Sequence, residues 1–106
     1  MNFYSENNLK EIEILQLLKE VEDPEVAVNI VDLGLVYKVI YDAAGQITVN
    51  MTLSSPSCPM GEMIVTQVEA CLKRNFPGFT ISVQLVWEPV WSRDFITPAG
   101  RKILGY

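Results

Sequence analysis

Two stretches of alternating apolar and polar residues, with a helical stripe between them, constrain this chain more than any other feature. In residues 46–53, Ile47, Val49, Met51 and Leu53 point one way while Thr48, Asn50 and Thr52 point the other, the period-two signature of a half-buried strand. Residues 79–87 repeat the pattern, with Phe79, Ile81, Val83, Leu85 and Trp87 on one side and Thr80, Ser82, Gln84 and Val86, mostly polar, on the other. Between them Ile64, Val68, Cys71 and Leu72 recur at helical spacing, in a segment begun near Pro59 and stopped by Pro77-Gly78. That helix crosses back over the sheet. An earlier strand, residues 35–41, joins residues 46–53 through the turn residues Asp42, Ala43, Ala44 and Gly45, which reads as a hairpin.

The flanks complete the plan. Asn8 and Glu11 have the spacing of a capping box, and Ile14, Leu17, Leu18 and Val21 come after them at helical spacing. A first helix is predicted over residues 8–22, ending near Pro24 because proline pushes Asp23 out of the helical region, with a loop after it. Thr97 as N-cap, Pro98 at the first helical position, Arg101 and Lys102 in the last turn and Gly105 beyond outline a short final helix. The expected fold is α/β in two layers (α+β), a small mixed three-stranded sheet of hairpin plus crossover strand, covered on one face by two helices. With 106 residues, the chain is expected to form one domain over residues 1–106, its core about 9–105.

Composition removes several function classes. There is no histidine, so Ser-His-Asp and Cys-His catalysis and imidazole metal sites are excluded within the chain. Eight basic against thirteen acidic side chains give a net charge of −5, the wrong sign for neutralising phosphates, so nucleic acid is not an expected partner. No apolar stretch approaches the roughly 20 residues that span a bilayer, so no membrane role is expected. The N-terminal residues lack the pattern of a secretory signal, so a cytoplasmic location is expected, and the sequon Asn50-Met51-Thr52 is set aside. Cys58 and Cys71 are the only thiols. Two thiolates per chain cannot complete a structural zinc site or a cysteine-ligated cluster without a second chain.

Cys58 stands in Ser54-Ser55-Pro56-Ser57-Cys58-Pro59, between a strand end and a helix start. A helix N-terminus favours anions, so a thiol there can be offered as thiolate to a metal or an electrophile; a small loop residue of no chemical role is the alternative. Cys71 falls in the apolar stripe and reads as inert core. A disulfide between the two is not expected, since helical rise separates them by about 20 Å. Glu20, Glu22, Asp23 and Glu25 crowd the end of the first helix, opposing its dipole; they read as solvated charge, as a cation site or as a contact for a basic partner. Asp32 reads as a turn residue bonding backbone amides. Trp87 keeps the phase of the inward face and reads as core, whereas Trp91 falls in a loop, where it anchors a partner or folds down as a lid.

Taken together, Asp23-Pro24-Glu25, the run Asn29-Ile30-Val31-Asp32-Leu33-Gly34-Leu35-Val36-Tyr37, Met51-Thr52-Leu53 followed by Cys58-Pro59, and Leu85-Val86-Trp87-Glu88-Pro89-Val90-Trp91 resemble the metal-sulfur cluster assembly domain shared by SufT-like and PaaD-like proteins. The motifs run in order over about residues 9 to 105. The resemblance implies a compact α/β fold and an accessory role in iron-sulfur protein maturation, or, in the PaaD branch, support of a phenylacetyl-CoA ring-oxidising complex. It points to Cys58 as the reactive or ligand cysteine, with Asp23 and Glu25 lining the same depression. Ser54 and Ser55 stand where the family commonly has two threonines, and Ser57 replaces a common glycine. The absence of a cysteine-rich tail favours the general assembly branch.

The leading expectation is therefore a non-enzymatic assembly or maturation factor in which Cys58 transiently holds iron, sulfide or an iron-sulfur cluster. One such thiolate per chain implies completion by a second protomer, a client iron-sulfur protein, another assembly factor or a small thiol. A rival reading is a pure adapter that recruits a client through Trp91, the acidic cluster and the sheet edge, with Cys58 incidental. A third, a thiol-dependent enzyme with Cys58 as nucleophile and Glu25 as base, is disfavoured because a carboxylate is a poor base for a thiol near neutral pH.

Overall fold

Helix α1 (Glu6–Leu18) opens the computed structural model, which describes residues 6–54 and 61–105. The helix begins ahead of Asn8, which is therefore not at the expected N-cap position, and Glu11 accepts the Tyr41 N–H at 3.0 Å. It also stops at Leu18 rather than near residue 22. The N–H groups of Lys19, Glu20 and Val21 bond three residues back, to Gln16, Leu17 and Leu18, a tightened last turn that delivers Val21 to the core.

The sequence predicts a loop after this helix, but residues 22–29 form a miniature hairpin. Strands β1 (Glu22–Asp23) and β2 (Val28–Asn29) pair antiparallel, Glu22 with Asn29 and Asp23 with Val28. Asp23 organises the turn: its Oδ1 accepts the Glu25 N–H at 2.9 Å and its carbonyl accepts the Ala27 N–H at 2.8 Å. Ala27 takes the left-handed φ of 57°. Two-residue strands carry too little alternation to be read from sequence.

The main sheet matches the predicted plan. Strands β3 (Val36–Asp42) and β4 (Gln46–Met51) form the antiparallel hairpin, with Val39 opposite Val49 and a register break between Val36 and Lys38. Helix α2 (Gly61–Asn75) crosses over, and β5 (Thr80–Leu85) returns parallel to β4, Val49 opposite Val83. The sheet order is β3-β4-β5. Helix α1 packs on β3, α2 packs on β5, and the helices touch each other, so both cover one face. Ile14, Leu18, Ile47, Val49, Met51, Ile64, Val68 and Leu72 are fully buried between the layers, each contributing about 1.5–3 kcal/mol of apolar burial. Cys71 lies in this core as a free thiol. Helix α3 (Pro98–Leu104) is capped as read, with Thr97 accepting the Gly100 N–H and Gly105 left-handed at φ 87°.

On β5 the expected inward face fades. Ile81 and Val83 are half-buried, but Leu85 and Trp87 are 41% and 42% exposed, so Trp87 is not a core residue. Alternation reports which way a side chain points, not whether anything lies there to cover it. Leu85 and Trp87 reach an open groove beside Leu53 and the first turns of α2, where Gly61 has no side chain to seal it.

Candidate functional site

The miniature hairpin and the C-terminal segment enclose a cleft of about 270 Å³. Asp23, Glu25 and Val26 enter it from the hairpin, and Ser54 from the segment that follows β4. Trp91, Arg93, Ile96 and Leu104 form the C-terminal wall, with Leu33 and Leu35 between. Among the described residues, the sequence-predicted Asp23, Glu25, Ser54 and Trp91 thus come together in one place. Cys58 and Ser55 lie outside the described residues. The carboxylates differ in character: Asp23 is buried and holds the hairpin turn, whereas Glu25 is exposed. The rest of the acidic cluster disperses. Glu22 faces solvent, and Glu20 meets Arg74 of α2 at 3.2 Å, a surface pair of little energetic weight that offsets the charge near the end of α1.

What holds the C-terminal wall in place is a side-chain network centred on Asp32. Its carboxylate accepts the Asn29 amide N–H at 2.7 Å and the Thr97 hydroxyl at 2.9 Å, and its carbonyl accepts the Thr97 N–H at 2.8 Å. The expectation that this carboxylate binds backbone amides is therefore corrected: both donors are side chains, because the turn's own amides are already used by Asn29 and Val31 carbonyls and the Asn29 side chain. The Asn29 amide holds the Asp32 pKa below the usual carboxylate value, against the opposing effect of burial, with Thr97 and the Lys19 charge adding to the lowering. Two glycines allow the approach. A side chain at Gly34, whose φ is 78°, would collide with the Phe95 carbonyl, and a Cβ at Gly100 would lie 2.8 Å from the Asp32 carbonyl oxygen. Here glycine is required both for the left-handed turn and for backbone contact.

Trp91 lies on the same seam. Its indole N–H donates to the Leu33 carbonyl at 2.7 Å and its half-buried ring packs on the core, the geometry of an aromatic folded down over the cleft. Its neighbour Val90 is 73% exposed. Cys71, in contrast, is walled off from this chemistry. Burial raises its pKa, reinforced by the Glu20 charge, and its Sγ lies 3.6 Å from the Leu17 carbonyl. Sequence reading missed Arg93, Ile96 and Leu104 as cleft residues and the Asn29-Asp32-Thr97 network. The available signal was Thr97 itself: a hydroxyl that accepts from a helix N–H still has a proton to donate, and Asp32 is the acceptor that receives it.

Among the described residues no three His, Cys, Asp or Glu side chains are grouped to hold a metal ion, and no helix is long and apolar enough to cross a membrane. Residues 11–85 match the family described as "Iron-sulfur cluster assembly protein". The chain is 44% identical over 83 residues to the Fe-S protein maturation auxiliary factor SufT of Staphylococcus aureus, covering 78% of this chain and 94% of that one. It is 40% identical to the Fe-S protein maturation auxiliary factor YitW of Bacillus subtilis, over 94% of this chain and 97% of the other. Its fold is similar to that of a domain of unknown function, DUF59, from Bacillus anthracis, with a TM-score of 0.88, 37% identity and coverage of 93% and 94% of the two chains. By sequence and by fold, this chain belongs to the iron-sulfur cluster assembly protein family.

Proposed function

We propose that this protein is a non-catalytic auxiliary factor in the maturation of iron-sulfur proteins in the cytosol, with Cys58 as the transient ligand or acceptor of the cargo. The observation that carries the reading is the convergence of Asp23, Glu25, Ser54 and Trp91 on one cleft in a chain of this family. Iron or a cluster is cargo here, not a resident cofactor. A thiolate binds iron through sulfur, and the open carboxylate of Glu25 supplies a hard oxygen ligand and negative charge along the same path. Asp23 acts through the turn that presents Glu25. Since one reactive thiolate leaves a cluster incompletely ligated, the remaining ligands come from a client, another assembly factor, a small thiol or a second copy. The incomplete ligand set favours release as well as capture.

The test is anaerobic addition of mixed ferric and ferrous iron with sulfide, followed by visible absorption and by activation of an apo iron-sulfur enzyme. Wild type is expected to develop charge-transfer absorption and to accelerate activation, and Cys58→Ser to lose both. Activation that survives Cys58→Ser but is lost in Trp91→Ala would replace the carrier reading with that of an adapter. Equal, featureless spectra for wild type and Cys58→Ser would remove direct cargo binding.

A further inference from the structure

The two edges of the β3-β4-β5 sheet are finished differently. On β3 the register breaks between Val36 and Lys38, Lys38 places a charge on the edge strand, and Glu11 of α1 takes up the Tyr41 N–H. Bulges, edge lysines and covering elements are the devices that stop a sheet edge from pairing. Among the described residues, strand β5 has none of them. It runs in unbroken register with β4 from Thr80 to Leu85, and the segment contains no charge, proline or glycine. Its free groups are set by the ladder. The N–H groups of Thr80 and Val86 bond the Gly45 and Met51 carbonyls at 2.7 and 2.8 Å. Alternation in a regular strand then turns Ser82 and Gln84 toward β4 and leaves the main-chain groups of Ile81, Val83 and Leu85 facing the open edge.

We infer that this edge is the interface between two copies of the chain, with β5 pairing antiparallel to β5 of the second copy about a two-fold axis at Val83. Directly opposed residues of an antiparallel pair share a face, so such an axis passes through a residue and not between two. Centred on Val83, the pairing sets Val83 against itself and Ile81 against the partner's Leu85, all with free main-chain groups. Ser82 meets the partner's Gln84 on the polar face. Across residues 81–85 apolar matches apolar and polar matches polar, and the 41% exposed Leu85 gains a cover. Charge selects the same occupant. The chain carries −5 overall, yet β5 is neutral, so two copies meet here without like charges opposed, and a charged client segment finds nothing in β5 to recognise.

Dimerisation through β5 does not depend on Cys58, and its test reads mass and register, not iron. Sedimentation equilibrium over a series reaching millimolar protein is expected to show a reversible dimer. Ser82→Lys/Gln84→Lys, which sets lysine against lysine across the axis, is expected to be monomeric throughout with unchanged circular dichroism and melting temperature. The exposed Gln84→Lys alone is expected to weaken association at least tenfold. Register is tested in a Cys58→Ser background by mixing Ser82→Cys with Gln84→Cys. Opposed residues in a non-hydrogen-bonded pair lie about 4.5 Å apart between Cα atoms, within disulfide reach. Oxidation is expected to give more covalent dimer from the mixture than from either variant alone. A wild type that stays monomeric to millimolar, a dimer indifferent to the lysines, or cross-linking no greater in the mixture would each overturn the inference.

Discussion

The helix-covered sheet and the polar corner that frames the cleft are held together by different physics. In the first, α1 and α2 bury an aliphatic layer against β3, β4 and β5, and non-directional burial tolerates small displacements. In the second, residues 22–34 and 91–104 are joined by oriented hydrogen bonds at Asp32, Thr97 and Trp91 and by backbone approach at Gly34 and Gly100. The lesson is a division of labour. The core sets stability, while the corner sets the shape of the cleft.

The sharpest way to break this division is to perturb each half and read both properties. Leu72→Ala, at a fully buried position, is expected to lower unfolding free energy by about 2–5 kcal/mol. The Trp91 indole N–H should meanwhile keep its chemical shift by NMR. Gly34→Ala is expected to cost about 1–3 kcal/mol, because alanine disfavours the left-handed turn and meets Phe95, and it should displace the Trp91 signal, which Leu72→Ala does not.

Asp32→Asn sharpens the comparison further, with an expected loss of roughly 1–3 kcal/mol near neutral pH from weakened charged hydrogen bonds. The pH dependence has a definite sign. The folded-state pKa of Asp32 is lowered, so its contribution is fully present above the unfolded value of about 3.9 and is lost as pH falls through the folded value. Urea midpoints measured on acidification from about pH 5 should fall more steeply for wild type than for Asp32→Asn. The smallest effect concerns Cys71. Its raised pKa and burial predict that mild alkylation of the native protein at neutral pH spares it, as peptide mass mapping would show; modification before unfolding would contradict its assignment to the core.

The contrast also explains what the sequence made legible. Periodicity exposed β3, β4, β5 and α2, because burial of one face writes itself into every second or fourth residue. Thr97, Pro98 and Gly105 gave α3 through local capping chemistry alone. The hairpin at residues 22–29 left no such trace, since two-residue strands have no period and Asp23 works through its own main chain and a single turn. The Asp32–Thr97 bond spans sixty-five positions of sequence, so neither residue announces the other. Trp87 misled because phase carried past the end of an edge strand is not burial. Trp91 stood out as a loop aromatic, Asp23 and Glu25 as part of an acidic cluster to which motif resemblance gave a place, and Ser54 through that resemblance, whereas Arg93, Ile96 and Leu104 required the chain to fold back.

Two tryptophans offer the most direct test of the central claim, that cargo held by Cys58 is handled at this cleft. Ser54 opens onto the cleft with Trp91, and Gly61 onto the groove with Trp87; Cys58 lies between Ser54 and Gly61 in sequence. Fluorescence of Trp87→Phe and Trp91→Phe proteins would be followed during anaerobic loading with mixed ferric and ferrous iron and sulfide. The account predicts strong quenching of Trp91 emission in Trp87→Phe, abolished by adding Cys58→Ser. Quenching confined to Trp87, or quenching of Trp91 that persists without the Cys58 thiol, would contradict it.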